Sequence, residues 1–211
     1  AVAALGALIP LALMPILRRL VRLSPADSAS IAAHYGSVSA GTFAVALAFA
    51  EGRNLPIGAE VTLYLVMMEL PAIMVAIALY RRHAGKAAGE AMQGIWHETL
   101  TNRGVILLAG GAVIGAMYGP QEGANVTELF TSAFHAVLAL FLLQMGLTAA
   151  ETLRPIPWFH WRLLTFALVA PPLLSLAGLA VGLALGLPAG SLLILTALAA
   201  SASYIAAPAA M

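Results

Sequence analysis

The chain has 211 residues, of which 62% are hydrophobic and 9% charged, with a net charge of +1 and no cysteine. Soluble domains carry about 25% charged residues, so this composition excludes a water-covered globule and points to a bilayer as solvent. The absence of cysteine excludes a disulfide framework and a thiolate metal site, and the near-neutral charge gives no reason to expect a nucleic-acid partner.

A membrane-spanning helix needs about 20 mostly apolar residues. Seven stretches fit: 1–17, 27–50, 60–80, 103–119, 127–150, 162–186 and 189–211. The fold class expected is therefore an all-α integral membrane protein. Connections are short except 81–102, which carries Arg81, Arg82, His83, Lys86, Glu90, His97 and Glu98 and reads as a solvated linker with a polar helix. The chain opens and closes inside apolar runs, Ala1 onward and Ala209-Ala210-Met211, so it is expected to be an internal piece of a longer protein.

Arginine and lysine counts give an orientation. Arg18, Arg19, Arg22, Arg81, Arg82, Lys86, Arg103, Arg154 and Arg162 fall on one side if every stretch spans once, leaving only Arg53 opposite. The basic loops are expected in the cytoplasm, and the protein in the cell inner (plasma) membrane.

The second and seventh stretches resemble each other: Ser37-Val38-Ser39 aligns with Ser201-Ala202-Ser203, and Ser24-Pro25-Ala26 with Pro188-Ala189-Gly190. Five spans separate them, so they enter from opposite sides, as a five-span unit repeated with inverted topology requires. Seven stretches are then part of ten. The first repeat is expected to contribute 1–80, the linker 81–102, and the second repeat 103–211, with two spans preceding residue 1 and one following residue 211.

Polar residues are concentrated in two places. His34-Tyr35-Gly36-Ser37-Val38-Ser39-Ala40-Gly41-Thr42 lies near the middle of the second span. Glycine weakens a helix by about 1 kcal/mol relative to alanine, and Ser and Thr hydroxyls can satisfy backbone groups freed within a membrane. The run predicts either a helix broken near 36–42 or a small-residue packing face. Ser201-Ala202-Ser203-Tyr204, followed by Ile205-Ala206-Ala207-Pro208, predicts a second break near 200–208, or an ordinary proline kink. A broken helix creates an ion site with few charged side chains. The N-terminus of the second half suits an anion, and the carbonyl end of the first half suits Na+.

Glu69, in Met68-Glu69-Leu70-Pro71, is a carboxylate in the middle of the third span and a candidate for an ion site, or a protonated group bonded to a neighbouring helix. Gln144 is a weaker candidate, since an amide often only bridges helices. His135 is expected to pack or face the interface. His34, His83, His97, His135 and His160 include no pair at i, i+3 or i, i+4, which disfavours a helical zinc site. Trp96, Trp158 and Trp161 stand near span ends as interfacial anchors.

Four segments carry a family resemblance. Ala32 to Phe43, Met68 to Ile73, Leu140 to Gly146 and Ala200 to Ala206 resemble, in family order across about 180 residues, the signature segments of the SbtA-like family of sodium-dependent bicarbonate transporters. The sequence departs from that family at Gly41, where a bulkier residue is expected, and at Gln144, where the family usually has Glu. The resemblance implies ten helices in two inverted halves, core and gate domains, a homotrimer, Na+/bicarbonate symport with Na+ as coupling ion, and in some members a cytosolic PII-like regulator. It implies substrate ligands drawn from Gly36, Ser37, Val38, Ser39, Ala40, Gly41 and Thr42 and from Ser201, Ala202, Ser203 and Tyr204. Na+ ligands would come from Ser37, Ser39, Ser201, Ser203 and Glu69.

Other classes fit less well. A symporter of another small or organic anion is separated only by these motifs. A cation/proton antiporter usually needs a mid-membrane acidic pair, and the sole aspartate, Asp27, sits at a span boundary. An intramembrane hydrolase could use Ser37 and His34, but no GxSxG or metal motif is present. A channel would need a repeated polar stripe. The expectation is a transporter, not an enzyme.

Overall fold

Residues 1–84, 103–152 and 160–203 are described by a computed structural model. Among them every regular element is helical: α1 (Val2–Ile16), a π-helical turn (Leu17–Val21), α2 (Pro25–Gly36), α3 (Ala40–Gly52), α4 (Val61–Ala84), α5 (Arg103–Thr152), α6 (Trp161–Ala184) and α7 (Ala189–Ala200). Four stretches are long and apolar enough to cross a membrane by length and composition: Val2–Val21, Pro25–Gly52, Val61–Arg82 and Trp161–Ala184.

Local chemistry explains where these helices start and stop. α1 contains Pro10 and Pro15 and widens into the π turn, which ends at Arg22 in the left-handed region, φ 66°. The Ser24 hydroxyl then caps α2, accepting the Asp27 N–H at 3.1 Å, while Pro25 occupies the first helical position, where no N–H is needed. α4 continues through Arg81, Arg82 and His83 to Ala84.

One difference from the sequence expectation stands out. The connection expected at 120–126 is helical, and the stretches 103–119 and 127–150 form one element, α5. Its only departure from helical geometry is Gly119, at φ 65° and ψ −177°. Pro120 and Glu122 immediately after it are helix-starting residues, so the Gly-Pro pair joins two helices directly instead of opening a loop. The helix that begins at Ala189 ends at Ala200, and Ser201 beyond it is extended (φ −85°, ψ 167°), at the start of the stretch where a break was expected near 200–208. Tyr204 through Pro208, like Lys86, Trp96, His97 and Trp158, lie outside the described residues.

The core is built on α1, α2, α4 and α7. Leu17, Met68, Ile194, Leu195 and Leu198 are fully buried and belong to one cluster with Ile9, Leu13 and Ala32. α2 runs antiparallel to α4, with Ala33 against Ala76 and Gly36 against Ala72. A Cβ at Gly36 would lie 2.7 Å from both the Ala72 Cβ and the Pro10 Cγ, so only glycine permits this approach. α6 and α7 form a hairpin. The start of α7 is anchored to the loop before α4: Gly190 N–H donates to the Pro56 carbonyl at 2.9 Å, and Gly58 N–H to the Ser191 hydroxyl at 2.8 Å. In that loop a hydrogen bond to its own backbone, then bonds from the Tyr64 and Ser191 hydroxyls, hold the Glu60 carboxyl below the ordinary carboxylate range.

A candidate ion site where three helix ends meet

α2 ends at Gly36 and α3 begins at Ala40 within one apolar stretch, leaving Ser37, Val38 and Ser39 outside helical geometry. Val38 lies in the left-handed region at φ 48°, rare for a β-branched residue and costing about 1–3 kcal/mol. Its side chain is buried, 3% exposed, and packed into the core cluster, which holds the conformation in place. Ser39 caps α3: its hydroxyl accepts the Thr42 N–H at 3.1 Å.

The end of α7 meets this interruption. The Ser39 N–H donates to the Ser201 hydroxyl at 2.9 Å, and that hydroxyl donates to the Leu198 carbonyl at 2.7 Å. The Ser203 N–H donates to the His34 carbonyl at 2.7 Å, and the His34 Nδ1 is 2.6 Å from the Ser203 carbonyl. The segments Ser37–Ser39 and 201–203 are thus joined by backbone and side-chain hydrogen bonds, although more than 160 positions separate them in sequence.

The hydroxyls of this junction differ in what they already do. Ser201 bridges two backbone groups, and Ser39 serves as a helix cap. Ser37 is 1% exposed, and its Oγ has no hydrogen-bond partner among the described residues. Glu69 is also buried, 7% exposed, with Oε1 unpartnered among the described residues. The antiparallel register of α2 and α4, continued one turn beyond the Gly36–Ala72 contact, brings Glu69 level with the interruption. Unsatisfied buried oxygens are costly, about 1–3 kcal/mol for a neutral group and more for a charged one. They are also the donor type that a hard cation takes.

Electrostatics divides the junction. α2 and α7 both present their carbonyl ends to it, which carry partial negative charge. α3 presents its N-terminus. The N–H groups of Ala40 and Gly41, its first two positions, have no intrahelical acceptor, and both residues are at least partly exposed. One side of the junction therefore suits a cation and the other an anion.

Of the residues singled out in the sequence, Gly36 to Thr42, Ser201, Ala202 and Ser203 come together here, with Ala40, Gly41 and Thr42 in the first turn of α3. Tyr204 lies outside the described residues. Gln144 is exposed on α5. No group of three His, Asp or Glu side chains able to hold a metal occurs among the described residues, so any cation here would rest mainly on hydroxyl and carbonyl oxygens. Sequence reasoning paired His34 only with Ser37, in the hydrolase alternative, and assigned it no part in an ion site. Its position three residues before Ser37, in the same polar run, was the available signal.

A search of curated proteins finds no match. The model of the Na+-dependent bicarbonate transporter superfamily matches residues 1–211. With that match over the whole chain, and with four helical stretches among the described residues long and apolar enough to cross a membrane, the protein belongs to the Na+-dependent bicarbonate transporter superfamily, a family of transporters and not of enzymes.

Proposed function

We propose that this chain takes up bicarbonate together with Na+ by alternating access, and that both ions bind at the junction of α2, α3 and α7. The observation that carries the proposal is the joining of Ser37–Ser39 to 201–203, with Ser39 N–H on the Ser201 hydroxyl at 2.9 Å, at a point where one helix N-terminus and two helix C-termini converge.

Bicarbonate is planar, with three oxygens and one proton. It needs several donors but no strong cation, because it must be released again. The Ala40 and Gly41 N–H groups supply such donors. Ser37 and Glu69, with buried oxygens unpartnered among the described residues, fit Na+, which cancels the anion's charge and couples its movement to the sodium gradient. Each net charge moved across the membrane is worth about 2.3 kcal/mol per 100 mV. Ser39, Ser201 and Ser203 hold the two segments in register and can turn remaining hydroxyl lone pairs or protons to either ion.

In this reading α2–α3 is the broken helix of a first inverted repeat, residues 1–80. α7 with the residues after it is the broken helix of the second, residues 103–211, and residues 81–102 link them on the cytoplasmic side. The core carrying both breaks moves against a gate domain. The assembly is a homotrimer in the inner membrane with basic loops in the cytoplasm, where a PII-like protein can regulate it.

The test is Na+-dependent uptake by cells making the full-length protein with Ser37, Ser39 and Ser203 all replaced by Ala. Uptake is expected to fall to background while the protein still inserts in the membrane. Uptake equal to that of the unmodified protein would remove the junction as the site.

A further inference from the structure

A cleft of about 430 Å³ opens where the end of the first span meets the start of α6. Arg19, Arg22 and Arg162 line it, with Trp161 at its edge and Leu20 and Phe166 on its walls, and none of its lining residues is acidic. None of the three arginines forms an ion pair among the described residues. Two come from the π turn and its cap, and the third arrives about 140 positions later, so the fold itself assembles the cluster. The Arg162 guanidinium carbon lies over the Trp161 ring, 5.5 Å from its centroid, so both side chains stand together at the cleft. The first turn of α6 has no side-chain cap, so its positive pole adds to the same field.

The cleft's depth in the membrane follows from its position. Arg19 and Arg22 end the candidate span Val2–Val21, and Arg162 begins the candidate span Trp161–Ala184. Both ends lie on the basic face of the protein, at headgroup level. From there an apolar track continues along the outside of α6: Leu20 is 70% exposed, Leu168 77%, Leu173 60% and Leu176 59%. Guanidinium groups bind phosphate oxygens through paired N–H donors, and basic pockets between membrane helices take anionic headgroups. A free anion would use the arginines but not the leucine track. A phospholipid uses both.

We propose that this cleft binds the phosphate headgroup of an anionic phospholipid, with an acyl chain lying along the outer face of α6. Phe166, which lines the cleft, contacts Tyr35 edge-to-face, centroids 5.5 Å apart, one residue before α2 ends at Gly36. An occupied cleft therefore supports the helix that carries the ion junction.

The test is native mass spectrometry of the full-length detergent-purified protein given phosphatidylglycerol or phosphatidylcholine with the same chains. Phosphatidylglycerol is expected to be retained preferentially, and each of Arg19→Gln and Arg162→Gln to lower its retention about fivefold. Equal retention of the two lipids, or a preference unchanged in both variants, would overturn the proposal. So would displacement of the lipid by millimolar inorganic phosphate, which would make the cleft a free-anion site. A second measurement needs no arginine change: phosphatidylglycerol with brominated chains should quench the fluorescence that Trp161→Phe removes, more strongly than brominated phosphatidylcholine. Equal quenching would also overturn the assignment.

Discussion

The Ser39 N–H donates to the Ser201 hydroxyl at 2.9 Å, and this single bond ties the start of α3 to the end of α7. The Ser201 hydroxyl is already donating to the Leu198 carbonyl at 2.7 Å, so it is fixed from both sides. Ser201→Ala leaves the buried Ser39 N–H without an acceptor, at a cost of about 1–3 kcal/mol. The purified variant is expected to unfold at a lower temperature and to transport more slowly. Ser201→Thr, which keeps the hydroxyl, is expected to retain most of both properties. Thermal unfolding and uptake measured side by side check this.

His34 meets Ser203 twice, through its carbonyl to the Ser203 N–H and through Nδ1 to the Ser203 carbonyl. Only the second bond depends on the side chain. His34→Ala is expected to lower Na+-dependent uptake, while His34→Asn, whose amide nitrogen can take the place of Nδ1, preserves it. Equal uptake by the two variants would assign the imidazole no part in holding the 201–203 segment.

Gly36 is sized by its neighbours. A Cβ there would meet Ala72 and Pro10 at 2.7 Å, and neither contact is the end of a flexible side chain. Gly36→Ala is expected to cost about 1–3 kcal/mol and Gly36→Val to prevent accumulation of folded protein. Fluorescence-detected gel filtration of tagged variants reads both outcomes.

Glu69 is tested by separating the two ions. Glu69→Gln keeps shape and hydrogen-bonding capacity but removes the charge. It is expected to raise the Na+ concentration for half-maximal uptake about tenfold, equivalent to about 1.4 kcal/mol. The bicarbonate concentration for half-maximal uptake at saturating Na+ should change little. An unchanged Na+ requirement would place Glu69 outside the sodium site.

Much of the arrangement could be read in the sequence because polar residues are costly in an apolar chain and stand out there. The run Gly36 to Thr42 and the pair Ser201 and Ser203 were visible for that reason, as was Glu69. Composition could not say which residues of the run leave the helix. α3 resumes at Ala40 because Ser39 caps it, and a serine that caps looks the same in sequence as a serine that binds. The pairing of His34 with Ser203 was hidden because it joins residues 169 apart and follows no period. The spans 103–119 and 127–150 were expected as separate helices with a short connection, but Gly119-Pro120 ends one helix and begins the next at a single point. The arginine cleft was hidden too: the arginines were legible as a count that sets orientation, but only the packing of α6 against the π turn brings three of them together.

The central claim is that this chain moves bicarbonate with Na+ through the junction of α2, α3 and α7. The most direct test is uptake of radiolabelled bicarbonate by cells expressing the full-length protein, with carbonic anhydrase inhibited and Na+ either present or replaced by K+. The account predicts saturable uptake that requires Na+ and disappears when Ser37, Ser39 and Ser203 are replaced by Ala. Uptake indifferent to the replacement of Na+ by K+, or absent from protein shown to be in the membrane, would contradict it.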